Sequence, residues 1–231
     1  MKTLMLAAML LPLTAVAADS RDFSLDVPAD DIQRVELDGN VGEIDIRAAD
    51  IDAIEVRVRL EPGDDDWFDA DTLEKRLADA ELQHEIDGDT LQLSLDYEDG
   101  FGDDADLEEH WEVRVPARMA LNVELNVGRT GIEGTAGGVE AQVNVGELDI
   151  DVKGGDIDAE VNVGEVDIRS TTESPGEFDL ESNIGDARLS IDGDNAGRNE
   201  GWLGMSVRHD AGGEDDVRAR ANVGEVRVDI R

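Results

Sequence analysis

The sequence contains no cysteine. Thiol nucleophiles, thiolate metal ligands and the lipidated amino-terminal cysteine of a lipoprotein are therefore excluded. Because disulfides cannot hold this fold together, its stability must come from an apolar core and from backbone pairing. The chain has 231 residues, which is enough to bury such a core as one domain.

Lysine and aromatic residues are scarce, and acidic residues dominate. The chain has 58 Asp and Glu against 20 Lys and Arg, a formal net charge of −38, and 3% aromatic residues. Nucleic-acid binding is excluded, because contacts to phosphate rely on Lys and Arg. The lack of aromatics argues against a sugar-stacking groove. The acidic surface fits a high-salt habitat, where the Debye length falls to about 3 Å at 1 M salt, and equally fits ordinary solubility charge.

Long apolar runs are absent except near the start of the chain. There, one basic residue (Lys2) precedes an apolar run over residues 4–17 that ends in Ala15-Val16-Ala17. This layout predicts a signal peptide over residues 1–18 and export to the periplasm or the medium. The run is shorter than the roughly 20 residues of a membrane span, although a retained anchor is the alternative. We expect no transmembrane segment after cleavage of the signal.

A short motif, Asn-Val-Gly-Glu with small variations, occurs six times along the chain. The asparagines of three successive copies are evenly spaced, the next gap is slightly longer, and the last gap is nearly two periods. Even spacing of this kind indicates a repeat architecture, so we expect the motif residues to have structural roles. They are Asn40 and Gly42, Asn126 and Gly128, Asn144 and Gly146, Asn162 and Gly164, Asn183 and Gly185, and Asn222 and Gly224.

Apolar residues alternate with polar ones on both sides of each motif, which is typical of β-strands. The alternation shifts by one position after the glycine, which predicts a strand, a corner and a second strand in each unit. Stacked units would place equivalent residues about 4.7–4.9 Å apart, with apolar columns inside and the asparagines in an amide ladder. The column Val127, Val145 and Val163 is among those expected to point inward. We therefore predict an all-β, single-domain β-solenoid or β-roll over residues 19–231, of either hand, with rungs of about 18 residues.

The regular pattern is interrupted over residues 61–110. This insertion is predicted to contain a short helix over residues 71–80, a hairpin over 82–97 that turns at Asp87-Gly88, and acidic loops. The last rung, residues 217–230, is predicted to end the stack. Its free edge would make self-association possible, although its charges discourage pairing.

The chain resembles the bacterial "putative adhesin" domain family, a family of unknown function. Three features carry the resemblance: the opening stretch over residues 35–46, the central Val113-x-Val115-Pro116, and the run of Val-Gly-Glu rungs that follows. The resemblance covers nearly all of the mature chain. It implies a β-solenoid fold and an adhesin-like role, and it brings no catalytic residues.

No catalytic motif is present, and the chain is predicted not to be an enzyme. His84 falls on a strand pattern, whereas His110 and His209 fall in or near predicted loops. Calcium is the one cofactor considered, because Asp192-Gly193-Asp194-Asn195 begins like a calcium loop but then fails at its fifth and twelfth positions. The weak metal candidates are Asp192, Asp194, Asp64 and Asp66.

Stacking also places like charges side by side, for example Glu147 beside Glu165. Two such charges about 5 Å apart repel by roughly 1 kcal/mol even in water, so the fold is expected to weaken at low ionic strength. Three functions remain open: a non-enzymatic adhesin-like or scaffold module with an unknown protein or cell-surface partner, a calcium- or salt-responsive envelope protein, and a polysaccharide lyase or hydrolase. The third would need a groove lined by Trp67, Trp111 or Trp202.

Overall fold

The computed structural model describes residues 20–63, 70–96, 107–199 and 204–231. The signal-peptide prediction for residues 1–18 lies outside these ranges. The described elements are strands β1 (Arg21–Pro28), β2 (Arg34–Ala49) and β3 (Ala53–Pro62), helix α1 (Ala70–Asp79), and strands β4 (Glu81–Asp87), β5 (Thr90–Asp96), β6 (Leu107–Pro116), β7 (Ala120–Glu133), β8 (Val139–Val152), β9 (Ile157–Ser170), β10 (Pro175–Ile184), β11 (Ala187–Ile191), β12 (Asp194–Asn199), β13 (Met205–Asp210) and β14 (Asp215–Ile230).

All of these strands belong to one open sheet, so the all-β expectation is confirmed. The strand order along the sheet is β1-β3-β6-β2-β7-β8-β9-β14-β10-β13. Two pairs branch from this path: β5 joins β2 and carries β4, and β11 joins β14 and carries β12. The central strands are long because each contains one copy of the motif with the strand on either side of it.

The central strands pair in parallel, and equivalent residues of successive copies lie opposite one another. Gly128 is paired with Gly146, and Gly146 with Gly164, across β7, β8 and β9. The even spacing of the motif in the sequence therefore corresponds to the strand register of the sheet in this region. A slip by one residue would turn every buried side chain to the outside, so the apolar pattern fixes this register.

Strand β14 is not at the end of the stack, and the prediction of a free C-terminal edge is wrong. It lies between β9 on one side and both β10 and β11 on the other. The physical reason is length. Strand β14 matches β9 along its whole length, whereas the shorter β10 and β11 together cover its opposite edge. Val226 is thus paired with both Val166 and Ala187.

Each long strand bends at its motif glycine and directs side chains from both halves into one core. The shift in alternation keeps apolar residues buried on both sides of the bend. In β8, the buried residues are Val139, Ala141 and Val143 before the glycine and Leu148, Ile150 and Val152 after it.

Several polar side chains are buried in the described part of the chain, and Thr130 is one that lies within this core. Thr130 is fully buried between Ile44 and Leu148, and its hydroxyl has no hydrogen-bond partner among the described residues. A buried hydroxyl without a partner costs about 1–3 kcal/mol. We therefore expect Thr130→Val, which keeps the shape of the side chain, to raise the free energy of unfolding by about 1 kcal/mol. Urea unfolding measures this change, and Val166→Thr, the reverse substitution in the same column, should lower the free energy of unfolding.

The predicted insertion is only partly an insertion. Helix α1 begins at Ala70, and Leu77 and Ala80 are buried with Leu60 and Leu107. The hairpin of β4 and β5 turns at Gly88, as predicted. Strand β5, however, pairs in parallel with the first half of β2, so it belongs to the main sheet. Strands β1, β12 and β13 were not predicted. The helix found in the described ranges is neither long nor apolar enough to cross a membrane.

Candidate binding surfaces

The motif glycines form a column in which each backbone leaves no room for a side chain. Gly146 has a φ of 143°, and a Cβ atom built on it would lie 1.7 Å from the carbonyl oxygen of Gly128. Only glycine fits a backbone position that combines this conformation with such a close approach. The same geometry occurs at Gly128, Gly164, Gly185 and Gly224, and at Gly42 against the backbone of Glu109.

The motif asparagines form a continuous amide ladder beside the glycine column. Nδ2 of Asn144 donates to Oδ1 of Asn126 at 3.0 Å, and Nδ2 of Asn162 donates to Oδ1 of Asn144 at 3.0 Å. The ladder continues through Asn222 and Asn183 at 3.0 Å each, and it reaches Asn40 at 3.3 Å. Each of the four inner amides thus uses one donor and one acceptor along the stack, whereas Asn40 only accepts and Asn183 only donates.

The motif valines point outward, which corrects the prediction that they would be buried. They sit on the outside of the corner, where the strand turns around the core and strict alternation no longer applies. The resulting row runs across six strands; we call it the valine stripe. Its most exposed members are Val127, Val145, Val163, Val223 and Ile184, with 38–49% of each side chain accessible to solvent.

A shallow groove runs beside the valine stripe across β8, β9, β14 and the end of β10. Its floor is the glycine column, which carries no side chains. One wall is the stripe, and the other is a column of carboxylates that includes Glu147, Glu165 and Glu225. The groove encloses about 620 Å³. The groove therefore offers apolar contact from one wall and negative charge from the other to the same ligand.

The first halves of the central strands present an acidic face. Its carboxylates lie in adjacent strands, so neighbours in a row are about 4.7–4.9 Å apart along the sheet. The arginines of this face are Arg34 at the start of β2 and Arg218 and Arg220 on β14, which lies between β9 and β10. The acidic side chains are Glu36, Asp38, Glu124, Glu140, Asp158 and Glu160.

Asp38 provides a pH-dependent test of this face. Partial burial, followed by repulsion from Glu36, raises the pKa of Asp38 above its usual value of 3.8. A carboxyl with a raised pKa in the folded state favours the fold when protonated, and this contribution is lost as the pH rises through the folded pKa. At pH 7, Asp38→Asn should therefore raise the melting temperature, and the gain over the parent should shrink below pH 4.

Asp22→Asn is the control for this prediction, because Asp22 accepts a hydrogen bond from Arg59 at 2.8 Å in an exposed ion pair. Its removal should leave the melting temperature unchanged or slightly lower at pH 7. A gain for Asp38→Asn that persisted at pH 3 would contradict the electrostatic explanation. Thermal unfolding followed by circular dichroism between pH 3 and pH 8 gives both curves.

The second halves of the strands present a face on which arginines alternate with carboxylates. Arg129 donates to Asp149 at 2.8 Å, and Arg169 lies 3.2 Å from Asp167. Burial raises the pKa of Asp167, while the Arg169 guanidinium lowers it. These arginines relieve more of the repulsion between strands than the sequence indicated. Each exposed pair contributes about 0–1 kcal/mol.

The metal candidates are not brought together into one site. Asp192 and Asp194 flank the turn between β11 and β12 and are exposed, and Asp192 has a φ of 52°. Asp64 and Asp66 lie outside the described residues. Within the described ranges, no group of three His, Asp or Glu side chains is placed to hold a metal ion. Calcium binding stays a prediction.

The histidines follow the sequence-based predictions only in part. His110 lies within β6 rather than in a loop, whereas His209 is the penultimate residue of β13 and lies near a loop, as predicted. His84 is on β4, as predicted. Trp111 is buried, although it is among the residues that line a pocket of about 620 Å³ together with His110 and Glu112. Its indole N–H donates to the buried Glu109 at 2.7 Å. The sequence did not indicate this pair, because a charged residue is not expected at the core position that Glu109 occupies. Trp67 and Trp202 lie outside the described residues.

Comparison with known proteins finds similar folds among solved bacterial structures. No family model matches the chain, and no curated protein matches it. A solved structure from Clostridium sporogenes ATCC 15579, described as a "putative cell adhesion protein", is similar with a TM-score of 0.56 and 12% identity, over 92% of this chain and 100% of that one. At this identity, the likeness shows a shared fold.

Two further solved structures align more loosely. One, from Bacteroides fragilis NCTC 9343, is described as a "putative adhesin" and has a TM-score of 0.40 and 10% identity, over 91% of this chain and 97% of that one. The other, from Parabacteroides merdae ATCC 43184, carries the same description and has a TM-score of 0.30 and 8% identity, over 91% and 96% of the two chains.

Proposed function

We propose that this chain is an exported, non-enzymatic, adhesin-like binding module built as a β-solenoid whose rungs follow the motif spacing. The observation that carries the proposal is the periodic outer surface, in which the amide ladder, the valine stripe and the two charged faces repeat from strand to strand. The fold shared with the Clostridium sporogenes structure supports it. So does the predicted signal peptide over residues 1–18.

The distribution of side chains between the core and the surface favours a binding surface over a catalytic site. Inward side chains fill the core, and the motif glycines permit the close approach of neighbouring strands. Among the described residues, the exposed side chains of the motif and of the two charged faces are arranged in flat rows. Flat rows suit a large partner such as a protein or a cell surface, whereas catalysis requires groups that converge on one reacting atom.

Adhesion is tested with fluorescent beads coated with residues 19–231. We expect saturable attachment of these beads to bacterial envelopes, competed by the free chain. Beads coated with a folded acidic protein of similar isoelectric point are the control, because they carry the same charge without the periodic surface. Equal attachment of both bead types would contradict the proposal. Release of reducing ends or unsaturated sugars from envelope polysaccharides would instead indicate an enzyme.

Export is tested separately by cell fractionation. When the full-length chain is expressed, a shortened form should appear in the periplasm or the medium. Mass spectrometry of its amino terminus should place cleavage after residue 17 or 18. A chain from which residues 2–18 have been deleted should stay in the cytoplasm. Full-length protein recovered only from the cytoplasm would overturn the extracytoplasmic part of the proposal.

A response to salt is the second candidate property, favoured by the acidic face. Carboxylates in neighbouring strands repel by roughly 1 kcal/mol per close pair, and salt screens this repulsion. We expect the melting temperature to rise by about 5 °C or more between 10 mM and 500 mM sodium chloride, since 1 kcal/mol corresponds to roughly 2–4 °C in a domain of this size. A melting temperature indifferent to salt would contradict this expectation.

Calcium chloride at matched ionic strength separates screening from specific binding. Equal curves in the two salts mean that the carboxylates need only screening. A large extra stabilisation by calcium indicates specific sites, and substitution of Asp192 and Asp194 by asparagine would then show whether the turn between β11 and β12 holds one of them.

A further inference from the structure

The valine stripe is a contiguous apolar surface on a chain that otherwise exposes mainly charge. From β2 to β10, every motif position contributes a β-branched apolar side chain, and neighbours are paired across the strands. Strand propensity does not require this, because threonine is β-branched and polar and suits an exposed strand equally well. A continuous exposed apolar row marks an interaction site more often than single exposed residues do.

The borders of the stripe are strongly negative. On the side of the groove, the six strands contribute five carboxylates and one arginine: Glu43, Arg129, Glu147, Glu165, Glu225 and Asp186. Beyond the amide ladder, they contribute four carboxylates, one amide and one arginine: Asp38, Glu124, Gln142, Glu160, Arg220 and Glu181. Arg227 pairs with Glu165 and Glu225, and Arg129 lies beside Glu147 on the neighbouring strand, so these arginines neutralise only part of the negative charge along the groove.

The negative charge on both borders of the valine stripe restricts the kind of partner that can bind there. A second copy of the chain would bring the same carboxylates against these, and anionic lipid would be repelled in the same way. A partner with an apolar centre and basic margins satisfies both the stripe and its borders. The repeat along the stripe is about 4.7–4.9 Å, close to the 5.4 Å pitch of an α-helix and well short of the roughly 6.7 Å between like-facing residues of an extended strand.

We propose that the valine stripe and its groove bind a cationic amphipathic helix of a partner protein. The helix lies across the strands, places one apolar side chain per turn against the stripe and directs Lys or Arg to the carboxylates on either side, in the helix-in-groove mode. Six rungs span about 24 Å, which corresponds to a helix of about 16 residues. This inference rests on the proposed binding function and names the class of its partner.

The test uses a fluorescein-labelled 16-residue synthetic peptide with leucine at helical spacing and lysine on both flanks of the leucines. Fluorescence anisotropy at 150 mM sodium chloride measures its affinity for residues 19–231. Val145→Thr/Val163→Thr keeps the side-chain shape in the middle of the groove, and it should weaken binding by about tenfold. Val145→Ile/Val163→Ile should bind at least as tightly as the parent. Melting temperatures of both variants should stay close to that of the parent.

Three outcomes would overturn the proposal. The parent chain fails to bind the helical peptide; the threonine variant binds it as tightly as the parent; or a peptide of identical composition with strictly alternating leucine and lysine binds equally well. The second outcome means that charge alone holds the peptide, and the third means that the leucines need no helical arrangement to bind. If the peptide result holds while bead attachment fails, the adhesin-like function falls and the stripe remains a helix site. If beads coated with the threonine variant attach normally and the peptide does not bind the parent chain, the helix site falls and the adhesin-like function remains.

Discussion

Gly146→Ala is expected to prevent folding of the chain or to lower its free energy of unfolding by at least about 4 kcal/mol. The new Cβ would lie 1.7 Å from the carbonyl oxygen of Gly128, and a φ of 143° is unfavourable for alanine in any surroundings. The clashing atom is backbone in the middle of the sheet, so no side chain can move aside to relieve it. Circular dichroism and urea unfolding of residues 19–231 measure the loss.

Gly88→Ala is the matched control, because it separates strain at positive φ from the collision. Gly88 also has a positive φ, 64°, but no atom lies within 4 Å of a Cβ built on it. Its substitution should cost only about 1–2 kcal/mol, which is the penalty of a left-handed conformation. If the two variants lost similar amounts of free energy of unfolding, the strands at the motif would be farther apart than they are in the structure.

The motif spacing allowed much of this fold to be predicted from the sequence. Because three copies are evenly spaced, the register of β7, β8 and β9 followed from the spacing alone. The amide ladder of Asn126, Asn144 and Asn162 followed as well, since equivalent residues of stacked strands must meet. Regularity in the sequence is informative here because each strand has neighbours of its own kind.

The order of the last strands could not be predicted in the same way. The longer gaps on either side of Asn183 set how much chain lies between motifs, but not which motif lies next to which. Asn222 would fit the ladder equally well on either side of Asn183, because every step of the ladder has the same chemistry. Strand length decides the order, and lengths became clear only when β10 and β11 were seen as two short strands along one edge of β14.

The valine stripe was missed for a different reason. An alternating pattern assigns every second residue to the core only while the strand runs straight. At the motif, the chain turns around the core within a few residues, so Val145 falls on the outside although its position in the alternation is inward. The signal available in the sequence was the one-position shift in alternation after the glycine. That shift marks a corner, and residues at a corner can lie outside.

Trp111→Phe is the second large expected effect, because it removes a buried hydrogen-bond donor from a buried acid. Trp111 and Glu109 are 1% and 2% exposed, and the indole N–H donates to the carboxylate at 2.7 Å. The substitution leaves a smaller ring in the cavity and takes one donor from the carboxylate. Together these changes should lower the free energy of unfolding by about 3–4 kcal/mol.

A double-mutant cycle separates the hydrogen bond from the loss of packing. Glu109→Met removes the acceptor of the indole N–H while keeping a side chain of similar length, so each single variant breaks the hydrogen bond. If the hydrogen bond carries part of the loss, the double variant should cost at least about 1 kcal/mol less than the sum of the single variants. Urea unfolding is followed by circular dichroism, since the Trp111→Phe variant and the double variant both lack Trp111. Strict additivity would mean that ring packing alone accounts for the loss, and that Trp111 contributes to the core through its size and not through its contact with Glu109.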